Sequence, residues 1–346
     1  MKNILKYVCL LVFGFMLTGC GELAKNNTSI NENTDIQELN SNRIQKPLSG
    51  SFIQPWLVES WTSSNFTTEL QYMDNVHMDH FIWQWTVDST PSTMKAYYPT
   101  ELAKFTGTAT DPVGLSLEAA KTQGLKVWLG LNYTNDWWSK GANDDVWLTK
   151  EYNLSKQIAQ ELWKLFGANY GDTIAGFYLP MEVNNLNFDS TAEKHLISVY
   201  NDVATYIHTN MNKPVMVAPY FVSHADLNAL QYAEMWGRII VSAPIDIVAV
   251  QDGIGAGNAT LTDIATWLSP LRAAIKKNRP ATQFWIVLET FTTDYNSAPL
   301  SRVLRQLLAE QSYADKFTTF SFNHYDSPQQ GHTKKYNGWE TYFKVY

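Results

Sequence analysis

Two glutamates, Glu182 and Glu289, stand at the ends of short apolar runs, within residues 175–182 and 284–291. Two carboxyl groups held in different surroundings can divide a proton between them, one staying protonated while the other is ionised. Cleaving a glycosidic bond needs such a pair: one acid protonates the leaving oxygen, and the other attacks the anomeric carbon or activates a water. A third acid, Asp252 in Gln251-Asp252-Gly253, has three readings. It orients a catalytic partner, bonds a sugar hydroxyl, or caps the backbone of a turn. Other chemistries find less. The seven histidines show no metal-ligand spacing, and both cysteines, Cys9 and Cys20, lie in the first twenty residues, so neither a catalytic metal nor another cofactor is expected. There is no Gly-x-Ser-x-Gly elbow and no Gly-rich phosphate loop.

The elements that must carry these acids follow a rhythm. Eight β-branched or aromatic runs, at residues 51–57, 78–85, 126–133, 175–182, 214–221, 246–252, 284–291 and 318–325, alternate with segments of helical period. The helices are expected at residues 65–76, 113–122, 149–166, 190–209, 226–236, 261–277 and 299–313, with a last one at 339–343. Eight such units in about 300 residues predict an α/β fold, a single (β/α)8 TIM barrel. A doubly wound open sheet is the competing architecture, and Trp56-Leu57-Val58-Glu59 after the first run lacks the phosphate loop that it usually carries.

In a barrel of this kind the chemistry gathers where the strands end. The ends offer Gln54 and Trp56, then Trp83, Gln84 and Trp85, then Asn132 and Tyr133 with Trp137 and Trp138 in the following loop. Further round stand Tyr178, Glu182, Asn184, Tyr220, Gln251, Asp252, Glu289, Asn323, His324 and Tyr325. Indole faces pack against the C–H faces of a sugar while amides and carboxylates bond its hydroxyls, so this mixture has the composition of a glycan groove. Trp85, Trp137 and Trp138 are the expected platforms, out of a rich stock of 13 Trp, 18 Tyr and 16 Phe. Trp128 and Trp285 inside strands, and Trp163, Trp236 and Trp267 at helical positions, are expected to pack in the core.

With glutamates closing strands four and seven, residues 50–346 resemble the clan A retaining glycosidases, in the manner of glycoside hydrolase family 5. That resemblance implies Glu182 as acid/base and Glu289 as nucleophile, about 5 to 5.5 Å apart. One departure is plain: Met181 occupies the place where those enzymes usually have an asparagine for the sugar 2-hydroxyl, with Asn184 and Asn185 close by. The stretches 176–182 (GFYLPME) and 249–255 (AVQDGIG) also look like a bacterial barrel family of inferred glycosyl hydrolases catalogued as a domain of unknown function. Some lipid-anchored barrels of this size are similar to the glucanases that accompany clostridial cellulose or exopolysaccharide synthases.

The amino terminus has its own pattern. Lys2 and Lys6 precede an apolar stretch too short to span a bilayer, which ends in Leu17-Thr18-Gly19-Cys20. The tetrad resembles a bacterial lipobox, which implies a signal peptide over residues 1–19 and lipid on Cys20; an ordinary secretory signal or an apolar first helix is the alternative. Residues 20–49 turn polar and read as a flexible tether with a reach of about 30 Å. A net charge of −7, from 33 acidic and 26 basic residues without a basic stripe, argues against nucleic acid as a partner.

The expectation is therefore a monomeric, membrane-anchored extracellular glycosidase without a cofactor. It would cut a β-linked polysaccharide, first β-1,4-glucan, internally and with retention, and an exopolysaccharide synthase complex is a candidate partner. Two alternatives stand: a noncatalytic glycan-binding lipoprotein on the same barrel, and a glycosidase of other linkage that uses Asp252.

Overall fold

A computed structural model describes residues 48–345 except Asn187. The expected signal peptide, the lipidated Cys20 and nearly all of the tether lie outside the described residues. Eight parallel strands close a barrel: β1 (Leu48–Ile53), β2 (His80–Trp83), β3 (Lys126–Gly130), β4 (Ile174–Leu179), β5 (Val215–Val217), β6 (Ile247–Gln251), β7 (Gln283–Glu289) and β8 (Lys316–Phe320). Each pairs with its neighbours in sequence, and β1 closes on β8 through Gly50↔Thr318 and Ser51↔Thr319. The helices are α1 (Ser63–Asn75), α2 (Pro112–Gln123), α3 (Asp145–Tyr170), α4 (Ser190–Met211), α5 (Ala229–Ser242), α6 (Ile264–Asn278), α7 (Leu300–Glu310) and α8 (Thr333–Val345).

Local chemistry sets their ends. Thr62 and Asn65 form a capping box that opens α1, and Asp111 followed by Pro112 opens α2, which Gly124 closes in the left-handed region at φ 77°. Asn228 and Gln231 form a second capping box, so α5 begins at Ala229, three residues after the apolar period alone predicts.

Strand parity sorts the core into two layers. Phe52, Ile82, Trp128, Tyr178, Met216, Ala249, Trp285 and Val287 fill the barrel interior, where Trp128 meets Trp285 edge to face at 6.0 Å. Their neighbours of opposite parity, such as Phe81, Phe177, Val248, Val250, Ile286 and Leu288, pack outward against the helices together with Trp236 and Trp267. Trp163 is partly buried against the same layer.

Three regions depart from the sequence reading. Strand one stops at Ile53 because Pro55–Val58 turns into helix, and strand eight stops at Phe320 before the helical turn Phe322–Tyr325. Between β2 and α2 lies an addition that the periodicity did not announce: two-residue strands Val87–Asp88, Lys95–Ala96 and Thr106–Gly107 join Asn132–Tyr133 in a small sheet. Strands this short carry too few residues to display an alternating pattern.

Candidate active site

Both glutamates stand at the mouth of the barrel. Trp285, Val287 and Glu289 alternate on the inner face of β7, and Glu182 lies three residues beyond the end of β4 at Leu179, where its charge acts on the interior Tyr178 and its carboxyl bonds Gln251. They face one electrostatic environment, since the charge of Glu182 acts on Glu289.

Glu182 is partly exposed. Burial of its carboxyl pushes the pKa up to about 7, opposed by a hydrogen bond from Gln251. The segment that bears it is pinned by Trp137, whose Nε1 donates to the Glu182 carbonyl at 3.1 Å. Trp137 itself is buried and stacked near Trp147 at 6.5 Å.

Glu289 is almost fully enclosed. Its Oε2 accepts the Ala256 N–H at 2.6 Å. The loop that supplies this donor is rich in glycine for a steric reason: a Cβ on Gly255 would stand 2.6 Å from the Phe291 carbonyl oxygen and 2.7 Å from Glu289 Cβ. Gly253 and Gly257 turn the loop at φ 70° and 76°. Burial first, and then the Asp252 charge, raise the proton affinity of Glu289; the Ala256 N–H and the Arg302 guanidinium oppose them.

Asp252 has the parity of Val248 and Val250 and therefore points outward, away from the mouth. It is fully buried behind Glu289. Its Oδ1 accepts the N–H groups of Ile254 at 3.1 Å and Glu289 at 3.4 Å, and its Oδ2 accepts Gln306 Nε2 at 2.5 Å. The turn-capping and partner-orienting readings of Asp252 describe this placement; a bond to a sugar hydroxyl does not.

The other expected lining residues divide. Trp56, Trp138, Asn184, Gln251 and His324 are partly exposed at the mouth. Trp56 meets His324 edge to face at 5.3 Å, and His324 Nδ1 lies 2.8 Å from Gln54 Oε1. Burial holds the His324 imidazole down at about 4, so it is neutral near pH 7. Trp138 tilts over Tyr220 at 6.5 Å and its Nε1 donates to the Tyr133 hydroxyl at 3.3 Å. Asn184 bonds the Tyr220 hydroxyl.

Buried positions form the other group. Trp85 stacks on Tyr133 at 4.5 Å and is covered, as Trp137 is, so of the three expected platforms Trp138 alone keeps exposed ring surface. Asn132 is spent on Glu151 and Ser155, and Tyr178 packs on Phe52 inside the barrel. Asn323 is fully buried, Tyr220 is nearly so, and Tyr325 stacks under His324 at 4.0 Å. Asn185, the second neighbour of Met181, is buried and bonds the Val222 and Leu227 carbonyls.

Residues absent from the sequence reading turn out to matter. Ala256, Gly255, Arg302 and Gln306 all contact Glu289 or its backbone. The run 249–257 held a glycine signal for the first two, whereas Arg302 and Gln306 are ordinary polar residues of an amphipathic helix. Among the described residues no group of three or more His, Cys, Asp or Glu side chains is arranged to hold a metal ion.

A "putative alpha-L-fucosidase" from Bacteroides thetaiotaomicron is similar over 96% of this chain and 100% of its own, with a TM-score of 0.75 at 18% identity. The endo-1,4-β-mannanase of Rhizomucor miehei gives 0.58 at 14% identity over 86% and 95% of the two chains. A Thermotoga petrophila endo-1,4-β-D-mannanase gives 0.55 at 14% identity over 87% and 100%. At these identities the likeness is one of fold, the (β/α)8 barrel. No curated protein sequence matches. The family model for a domain of unknown function, DUF4434, matches residues 48–332, nearly the whole described barrel. The chain therefore belongs to the DUF4434 family.

Proposed function

We propose that the protein is a glycoside hydrolase, with Glu182 as acid/base and Glu289 as nucleophile. The observation that carries this reading is the pair itself: two inward-facing carboxyls at the ends of β4 and β7, electrostatically coupled, both with proton affinity raised by burial. A general acid works best with a pKa near the operating pH, which Glu182 has. Burial and the charges of Asp252 and Glu182 all favour the protonated form of Glu289 in the unliganded protein, so the productive state requires the proton on Glu182 and the anion on Glu289, where the Ala256 N–H holds it facing the anomeric carbon. Attack breaks the glycosidic bond as Glu182 protonates the leaving oxygen. Glu182 then takes a proton from the water that releases the glycosyl-enzyme, so configuration is retained.

The substrate is proposed to be a β-1,4-linked polysaccharide cut internally, glucan first. The mannanases among the fold relatives support that class, and Trp138 and Trp56 offer ring surface for sugar faces. Anchoring through Cys20 on the outer face of a membrane belongs to the same proposal and rests on the lipobox-like tetrad.

The test is to incubate the protein with soluble β-glucan, mannan and xylan and to measure new reducing ends, alongside Glu182→Gln and Glu289→Gln. Hydrolysis by the wild type, lost in both variants, is expected. Binding without new ends would establish the noncatalytic glycan-binding alternative, which the buried Met181 before Glu182 favours.

A further inference from the structure

Helix α7 lies behind the nucleophile and turns one face toward it. Arg302, Gln306 and Glu310 recur at intervals of four on that face. Arg302 Nη2 donates to the carbonyls of Glu289 at 2.8 Å and Phe291 at 2.7 Å, clamping the backbone on both sides of Thr290. One turn on, Gln306 Nε2 reaches Asp252 Oδ2 and, at 3.4 Å, the Glu289 carbonyl. Asp252 in turn receives the Glu289 N–H. Helix α7 and the end of β6 thus grip the residue that attacks the sugar by its main chain, without touching the mouth.

Resting on the hydrolase reading, we propose that Arg302, Gln306 and Asp252 are positioning residues that fix both the orientation and the ionisation of Glu289 from behind the barrel wall. The charges around Glu289 are few and opposed. Asp252 at the end of β6 and Glu182 at the end of β4 disfavour its anion, while Arg302 on α7 favours it. Glu310, fully buried with neither oxygen bonded among the described residues, sits at the far end of the same face, where burial and then the charges of Asp252 and Glu289 favour its protonated form. Asp326 and Lys335 form a separate buried ion pair whose charges act on Arg302 and on each other.

The device has a signature that a purely structural support lacks: removing Asp252's charge and removing Arg302's charge must shift Glu289 in opposite directions. Asp252→Asn keeps the size of the side chain, and the Gln306 amide can turn its unpartnered Oε1 toward the new amide, so the packing is retained. The experiment is ¹³C NMR titration of side-chain-labelled glutamate in the unliganded protein, with Glu289→Gln to assign the resonance. Asp252→Asn is expected to move the Glu289 titration about one pH unit lower, Arg302→Gln to move it higher, and Glu310→Gln to leave it in place. Shifts of the same sign in the first two variants, or none, would overturn the proposal. Asp252→Asn decides it alone should Arg302→Gln not fold. The titration needs no turnover, so failure of the hydrolase reading shows separately, as wild-type protein that releases no reducing ends at any pH.

Discussion

The two ends of the carboxyl pair are built differently. Glu182 is partly exposed, and its own carboxyl is bonded by a single amide, Gln251, while Trp137 fixes only its backbone. Glu289 is enclosed, with a main-chain donor on its oxygen, a glycine loop folded against its stem and a guanidinium on its carbonyl. A group that must exchange protons with leaving group and water needs access and rotational freedom; one that must form a bond in a fixed line needs immobility. The asymmetry thus matches the division of labour proposed for Glu182 and Glu289, and it can be attacked from either side.

The largest effect is expected from the carboxyls themselves. Glu289→Gln should abolish turnover to the limit of detection, whereas Glu182→Gln should lose about 10² to 10⁴-fold on a polysaccharide and much less on an aryl glycoside whose leaving group needs no proton. Equal losses on both substrates would erase the distinction. Next comes Gly255→Ala, which forces the loop away from Glu289 and Phe291 and should lower kcat by about 10²-fold, with circular dichroism unchanged. A smaller effect belongs to the other side: Trp137→Phe removes the bond to the Glu182 carbonyl and should reduce kcat about tenfold with KM little changed. Trp138→Ala should instead raise KM.

The smallest effect concerns stability and pH. Glu69 and Glu182 are both pushed up to about 7 by burial, and Glu310 is raised as well. Groups with raised folded-state values give their full stability below the unfolded-state pKa, about 4.5, and lose it as pH rises through the folded-state value. The melting temperature should therefore fall from about pH 6.5 to pH 8, above the window in which His80, His324 and His332, held down by burial, act with the opposite sign, and Glu310→Gln should flatten that fall. A melting temperature that rises over this range would contradict the protonated state of these acids.

Much of this was legible in the chain. All eight strands and the helices follow the alternation of apolar runs with helical period, and the ends of the fourth and seventh runs carry Glu182 and Glu289. Parity contained the fate of Asp252, since it follows outward-facing Val248 and Val250. Reading strand ends as an undifferentiated rim hides that information. The platform expectation met a different obstacle. Trp85 and Trp137 stand where a barrel binds its ligand, but their rings are covered by Tyr133 and Trp147, which come from the β3 end and from α3. Such cover depends on loop paths that no local pattern encodes. The grip of α7 was hidden for a related reason, because Arg302 and Gln306 differ from solvent-facing residues only in what they meet after folding.

The parallel strands give the barrel two poles with separate tasks. Leu48 enters at one pole and the glutamates open at the other, about 20 Å away along a six-residue strand. A molecule held by the chain that leads into Leu48 would turn the barrel mouth away from the point of attachment, with the direction of β1 setting its orientation.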